Sequence, residues 1–269
     1  MKNFNGKAIY QPKGKAGEYA EWACNFYVGC SNGCTYCYCK KGVLKSTMGG
    51  DVPTLKKCFK DENHALEVFE KELKANLPEL QKHGLFFSFT TDPMLPETRN
   101  ITYKAVSHCI KNYVPVKLLT KKADWADKIA WSPDCASFPI NDHIAFGFTL
   151  TGHDELEPSA STNANRIEAM RKLHNTGFKT WASIEPIINF ESSYEMVIRT
   201  NEFCSLYKIG LESGKKYQQT ACKLFIYNVC LEFPSCKFYF KDSLLKQAGI
   251  NREDLPANCV GRDYNMFNA

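Results

Sequence analysis

The chain has 269 residues, 44% of them hydrophobic, enough for one large domain whose core needs no staples, and no apolar run approaches the roughly 18 residues of a membrane helix. Thirteen cysteines, an odd count, behind a polar and basic N-terminal MKNFNGKAIYQPKGK argue against a secreted disulfide framework and for a reduced cytoplasmic setting. The net charge of +5 comes from scattered lysines (Lys40 and Lys41, Lys56 and Lys57, Lys121 and Lys122, Lys215 and Lys216), which permit a nucleic-acid partner without indicating one.

In chain order, the apolar run Ala23 to Val28 predicts a strand that leads into a cysteine-rich loop. A helical pattern over His64 to Leu80 is followed by a strand at Leu85 to Phe89, a helix at Thr102 to Asn112, a strand at Val116 to Thr120 and a helix at Asp124 to Ala130. A strand at Ile144 to Leu150 precedes a helix at Asn163 to Asn175. Asn163 is suited to cap that helix, Ile167, Met170 and Leu173 make its apolar face, and Gly177 ends it. The pattern continues with a strand at Thr180 to Ile184, a helix at Ser192 to Cys204, a strand at Tyr207 to Leu211, a helix at Lys215 to Leu231 and a last strand at Lys237 to Phe240. Alternating strands and helices predict an α/β fold, a partial (β/α)6 TIM-like barrel around a parallel sheet. No linker or low-complexity segment divides it, so residues 1–269 are expected to form one domain, with an N-terminal extension over 1–20, a core barrel over 21–214, and a helix, strand and tail over 215–269 that close the barrel.

Cys30, Cys34 and Cys37, in CSNGCTYCYC, have C-x3-C-x2-C spacing. Three thiolates can hold three irons of a [4Fe-4S] cube and leave one iron open, and an open iron can take S-adenosylmethionine by its amine and carboxylate for one-electron cleavage to a 5'-deoxyadenosyl radical. Gly29 and Gly33 allow a tight loop, and Tyr27, Tyr36 and Tyr38 interleave the cysteines. A zinc site would need a fourth ligand, for which Cys24 and Cys39 are the near candidates. In β/α barrels chemistry gathers at the C-terminal strand ends, where Thr90, Thr91, Asp92, Lys121, Thr149, Thr151, Glu185 and Glu212 fall.

The blocks AIYQPKGKAGEYA, NFYVGCSNGCTYCYC, SFTTDPMLPE and LLTKKAD resemble the spore photoproduct lyase-like branch of the radical SAM superfamily over roughly half the chain, and WASIEPI, YKIGLESG and FYFKDS are similar to phage-type radical SAM proteins. The resemblance implies a radical SAM barrel with a [4Fe-4S] cluster and S-adenosyl-L-methionine, and an electron donor of flavodoxin or ferredoxin type. It assigns cluster ligation to Cys30, Cys34 and Cys37, and ribose contact or radical relay to Tyr36 and Tyr38. Thr91, with Ser88 and Asp92, takes the element that meets the cofactor's amino group, and Lys121 pairs with its carboxylate; Thr149 and Glu185 complete the cofactor side. One departure is Phe89, which stands where spore photoproduct lyase has a hydrogen-returning cysteine. Phenylalanine donates no hydrogen, so thymine-dimer repair would need another thiol such as Cys135 or Cys109.

The substrate is expected to be a nucleobase or nucleotide, with a peptide or protein substrate and a non-catalytic metal-binding module as alternatives. Glu185 and Glu212 are candidates for the substrate side or the ribose side, Arg166 for pairing with one of them, and Lys241 and Asp242 for closing the open barrel side. Cys222, Cys230 and Cys236 are the tightest remaining thiol group, without the spacing of a second cluster. His108, His153 and His174 show no ligand spacing.

Overall fold

The computed structural model describes residues 4–128 and 140–268. Its strands are β1 (Ile9–Tyr10), β2 (Ala23–Cys24), β3 (Tyr27–Val28), β4 (Thr54–Leu55), β5 (Leu85–Phe87), β6 (Val116–Thr120), β7 (Ile144–Thr149), β8 (Lys179–Ile187), β9 (Leu206–Leu211) and β10 (Lys237–Phe240). The helices are α1 (Lys45–Met48), α2 (Glu62–Ala75), α3 (Leu77–His83), α4 (Arg99–Lys111), α5 (Ile140–His143), α6 (Asn163–Asn175), α7 (Phe190–Ile198), α8 (Gln219–Glu232) and α9 (Asp242–Ala248). The main sheet runs β1-β2-β5-β6-β7-β8-β9-β10; β1 is antiparallel to β2 and every later neighbour is parallel. Spatial order follows chain order, as successive right-handed β/α units dictate. Among the described residues, no helix is long and apolar enough to cross a membrane.

Strand alternation sorts the core into two layers. Ile144, Phe146, Phe148, Ala182, Ile184, Tyr207 and Ile209 point outward against the helices, while Ala23, Phe86, Ala145, Trp181, Leu206 and Tyr239 point inward and meet Tyr19 and Met266. Gly147 is glycine for a steric reason: a Cβ there would come within 2.2 Å of the Trp181 ring that fills the interior.

The sheet edges at β1 and β10 do not pair with one another among the described residues. The turn over 14–19 crosses the gap instead. Glu18 accepts from Tyr239 Oη at 3.1 Å and from Asp242 N at 2.9 Å, while Lys208 Nζ donates to the carbonyls of Glu18 at 3.0 Å and Tyr19 at 2.8 Å. Of the residues expected at the open side, Asp242 contacts this N-terminal turn through its backbone N and Lys241 Nζ reaches Glu185. At the far end, Lys179 Nζ donates to Met266 O at 2.7 Å, and Lys117 lies 5.9 Å from the Phe267 ring, so the C-terminal tail forms the barrel floor.

Several predicted elements shift for local reasons. The run Ala23 to Val28 divides into β2 and β3, and β3 pairs with β4 in a separate ladder. Buried Asn25 makes the break, its backbone N donating to Ala8 O at 3.0 Å and its Oδ1 accepting from Phe89 N at 2.9 Å. The helix expected over His64 to Leu80 becomes α2 and α3, because Pro78 cannot donate within a continuing helix and the chain leaves helical geometry at Asn76 (φ −120°, ψ 19°). Thr162, not Asn163, caps α6, its hydroxyl accepting from Asn165 N at 3.2 Å; Asn163 Oδ1 instead accepts from Thr151 N at 3.0 Å. The helix expected from Ser192 starts earlier, capped by Asn189, and ends at Ile198. The one expected from Lys215 starts at Gln219. Asp124 to Ala130 yields a turn at Asp124 and Trp125 and a short 3-10 helix at Ala126–Lys128, with residues 129 and 130 outside the described residues.

Candidate functional site

The loop over residues 29–39, after β3, opens onto a cavity of about 730 Å³ at the C-terminal ends of the sheet strands. Gly29 (φ +81°) lets the loop turn beneath the segment over 50–52, where a Cβ would lie 2.5 Å from Val52 O. Cys30, Cys34 and Cys37 all line the cavity, facing Ser88, Thr91 and Asp92 after β5, Lys121 after β6, Thr149 ending β7 and Glu185 on β8. Tyr36 and Tyr38 line it too, so every candidate named from the sequence for cluster or cofactor is on one surface.

Asp92 is the junction of this surface. Its Oδ2 accepts from Asn32 Nδ2 at 2.7 Å and Lys121 N at 2.8 Å, and its Oδ1 from Thr120 Oγ1 at 2.7 Å and Met94 N at 2.9 Å. Both oxygens are committed, which makes Asp92 the tie between the cysteine loop and β6. Two other oxygens remain without partners among the described residues, Thr91 Oγ1 and Asn32 Oδ1, both buried beside the cavity. Ser88 Oγ donates to Thr91 O at 2.6 Å and holds that turn.

A second network fixes the wall beside Cys34. Glu157, buried and without a motif of its own, accepts hydrogen bonds from the Tyr36 hydroxyl and from Arg166 Nη2, with Lys121 Nζ 3.8 Å away. Arg166 is fully buried and also donates to Thr149 O at 2.6 Å and Ser161 O at 2.8 Å. It pairs with Glu157 and not with Glu185 or Glu212. Lys121 lies 5.2 Å from the Tyr36 ring. Burial opposes the Lys121 charge, but Tyr36, Cys34 and Glu157 outweigh it and hold the amine well above its ordinary value.

The opposite wall is built on Glu185. Lys241 Nζ reaches both its oxygens, at 2.9 and 3.1 Å, and the Tyr19 hydroxyl donates at 2.6 Å while sitting 2.6 Å from Ser183 Oγ. Gly210 makes room for this pair, since a Cβ there would stand 2.7 Å from Lys241 Cδ. Tyr19 was invisible in the sequence because the segment that carries it reads as an extension, while the fold turns it inward. Glu212 pairs with Lys41 at 2.9 Å, and Lys13, Lys15, Lys40 and Lys41 all line the mouth, so two segments that look scattered in sequence meet as a basic rim.

Burial and the Asp92 charge push the Cys30 thiol up to about 11, and burial also raises Cys34. Cys37 goes the other way: the hydrogen bond from Cys39 pulls it down to about 6. Tyr38 donates to Phe89 O, and Phe89 stacks on Phe86 at 4.5 Å. Cys24 belongs to the core, and among the described residues no three His, Cys, Asp or Glu side chains converge on a single metal position. Cys222, Cys230 and Cys236 do not gather as a group. Cys109 is buried on α4 outside the cavity lining, and Cys135 lies outside the described residues. His108 and His153 contact Glu70 and Glu155, and His174 is exposed.

No protein-family model matches the chain. An uncharacterized protein of Methanocaldococcus jannaschii is 26% identical over 216 residues, 74% of each chain. A spore photoproduct lyase mutant with bound AdoMet and dinucleoside spore photoproduct aligns with a TM-score of 0.54 and 17% identity over 81% of this chain. Spore photoproduct lyase complexed with dinucleoside spore photoproduct aligns at 0.55 and 16% over 84%. The chain spans 62% and 64% of the length of those two chains. The likeness is one of fold: the chain has the partial-barrel architecture of spore photoproduct lyase, in line with the resemblance read from the cysteine block.

Proposed function

We propose that the chain is a radical SAM enzyme in which Cys30, Cys34 and Cys37 hold a [4Fe-4S] cluster and the cavity beside them holds S-adenosylmethionine. The observation that carries this reading is the gathering of three cysteines, spaced as in their motif, on the wall of a cavity of about 730 Å³ at the C-terminal mouth of the sheet. The donor set fits the group: three thiolates leave one iron open, and the buried, unpartnered Thr91 Oγ1 and Asn32 Oδ1 supply acceptors for an ammonium. When bound, the pair would supply a 5'-deoxyadenosyl radical able to abstract hydrogen from a substrate.

The remaining work falls to this chain's own side chains. Lys121, charged against Tyr36 and Glu157, offers a cation for the cofactor's carboxylate, and Asp92 fixes the backbone that presents it. Tyr36, Tyr38 and Phe89 line the cavity beside the cysteines and offer rings on which a nucleoside can pack. Glu185, paired with Lys241, orients the Tyr19 hydroxyl on the wall opposite Lys121, a position open to the cofactor's ribose or to the substrate. Aromatic and apolar walls (Tyr36, Phe89, Leu119) inside a rim of four lysines support a nucleobase or nucleotide as substrate, and its reduction step calls for a flavodoxin- or ferredoxin-type donor. Such a chain would act as one unit in the cytoplasm.

Anaerobic reconstitution with iron and sulfide, followed by S-adenosylmethionine and dithionite, tests the reading. It predicts 5'-deoxyadenosine from the native chain and none from Cys34→Ala. A colourless protein that retains one zinc and yields no 5'-deoxyadenosine would replace the enzyme with a metal-binding module.

A further inference from the structure

Two thiols outside the cavity lining lie against one another. Cys230 sits near the end of α8 and Cys259 in the C-terminal tail; their sulfurs are 3.4 Å apart, and both thiols are free. The approach is held from two sides. Phe238 N donates to Asn258 O at 3.0 Å and Val260 N to Phe238 O at 2.8 Å, so the tail is docked on β10. Asn258 Nδ2 donates to the carbonyls of Cys230 at 3.0 Å and Phe233 at 3.2 Å, which docks it on α8 as well. The neighbouring thiols have other surroundings: Cys222 packs in the core and Cys236 turns to Asn201 O at 3.6 Å. A disulfide needs its sulfurs about 2.05 Å apart, a short closure for two segments already fixed in place.

We propose that Cys230 and Cys259 form a reversible disulfide, a redox modification site that fastens the C-terminal tail to α8. Half-buried Cys259 is reached from solvent, while Cys230 is 3% exposed, so Cys259 attacks first and Cys230 resolves. The hydrogen bond between the two thiols lowers Cys259 and raises Cys230, in keeping with that order. With glutathione disulfide as oxidant, the Cys259 thiolate attacks one glutathione sulfur and expels a glutathione thiolate. Cys230 then gives up its proton, attacks the Cys259 sulfur of the mixed disulfide and expels the second glutathione. The two electrons lost by the protein dithiol reduce one glutathione disulfide to two thiols. Beyond Cys259 the tail carries Tyr264, Met266 and Phe267 into the barrel floor, so the bond would lock that plug. This bond depends on the contact between the two thiols and is independent of the proposed activity.

The test oxidises the full native chain with glutathione disulfide, blocks remaining thiols with N-ethylmaleimide, and maps unreduced tryptic peptides by mass spectrometry. The expected result is a peptide joining Cys230 to Cys259, two hydrogens lighter than its parts and lost on reduction. It persists in Cys236→Ser and disappears in Cys259→Ser. Recovery of Cys230 and Cys259 as separately alkylated thiols, while other cysteines oxidise, would overturn the proposal; so would survival of the linked peptide in Cys259→Ser.

Discussion

Replacing Asp92 by alanine should loosen the cysteine loop and destabilise the fold together. Asp92 is 7% exposed, and its carboxylate accepts four hydrogen bonds, from Asn32, Lys121, Thr120 and Met94. A bond to a buried charged group contributes about 1.5–3 kcal/mol, and bonds sharing one carboxylate do not add fully, so Asp92→Ala is expected to cost about 4 kcal/mol. Asp92→Asn keeps one accepting oxygen but turns an amide against two donors, for a loss of about 2.5 kcal/mol, whereas Asn32→Ala removes a single such bond and costs about 1.5 kcal/mol. Urea unfolding followed by circular dichroism, extrapolated linearly to water, measures all three. A graded loss in this order, with iron uptake by the Asp92→Ala chain falling below that of Asn32→Ala, is the expected outcome. An Asp92→Ala chain within about 1 kcal/mol of the native one would refute the idea that Asp92 ties loop to barrel.

Arg166→Met strips buried Glu157 of its closest cation and should cost about 3–5 kcal/mol, much of which a second change, Glu157→Leu, restores; urea unfolding of the full mutant cycle measures the coupling, and additive losses would contradict it. Lys117, buried in the barrel floor, has its pKa lowered by desolvation from 10.5 to about 8. Above about 10.5 its amine is neutral folded or unfolded; between about 10.5 and 8 only the unfolded chain takes the proton, so stability falls as pH falls, and below about 8 the full cost of about 3 kcal/mol is present. Lys117→Met should therefore stabilise the chain at neutral pH and lose that advantage above about pH 10.5, which thermal melts across the range would detect. The Cys230 to Cys259 disulfide closes a loop with a sequence separation of 29, and oxidised chain should resist urea by about 3–4 kcal/mol more than reduced chain, a gain absent from Cys259→Ser.

Much of the fold was legible because long elements carry a strong period. Val116–Thr120, Asn163–Asn175 and Lys237–Phe240 lie where their apolar patterns put them. The failures came where one polar or cyclic residue interrupts a run: Asn25 diverts the first strand and Pro78 divides the long helix. In the site, the cysteines, Asp92 and Lys121 were legible from motif and strand-end position, while Glu157 and Tyr19 were not. Glu157 follows β7 on an irregular loop and acquires its role only when α6 brings Arg166 behind it. Tyr19 joins the cavity because residues 14–19 cross the open side of the barrel, a tertiary fact without a sequence period. Asp92 also shows that a residue in the right place can play a different part, since its four bonds turn inward and hold the surface that others present.

Electron paramagnetic resonance of the anaerobically reconstituted, dithionite-reduced chain, before and after S-adenosylmethionine, tests the central claim most directly. A cluster of about four irons ligated by three cysteines and open at one iron should give a signal that shifts when the cofactor is added, and Cys30→Ala should abolish it. A signal indifferent to S-adenosylmethionine, in a chain that carries its full iron, would contradict the account.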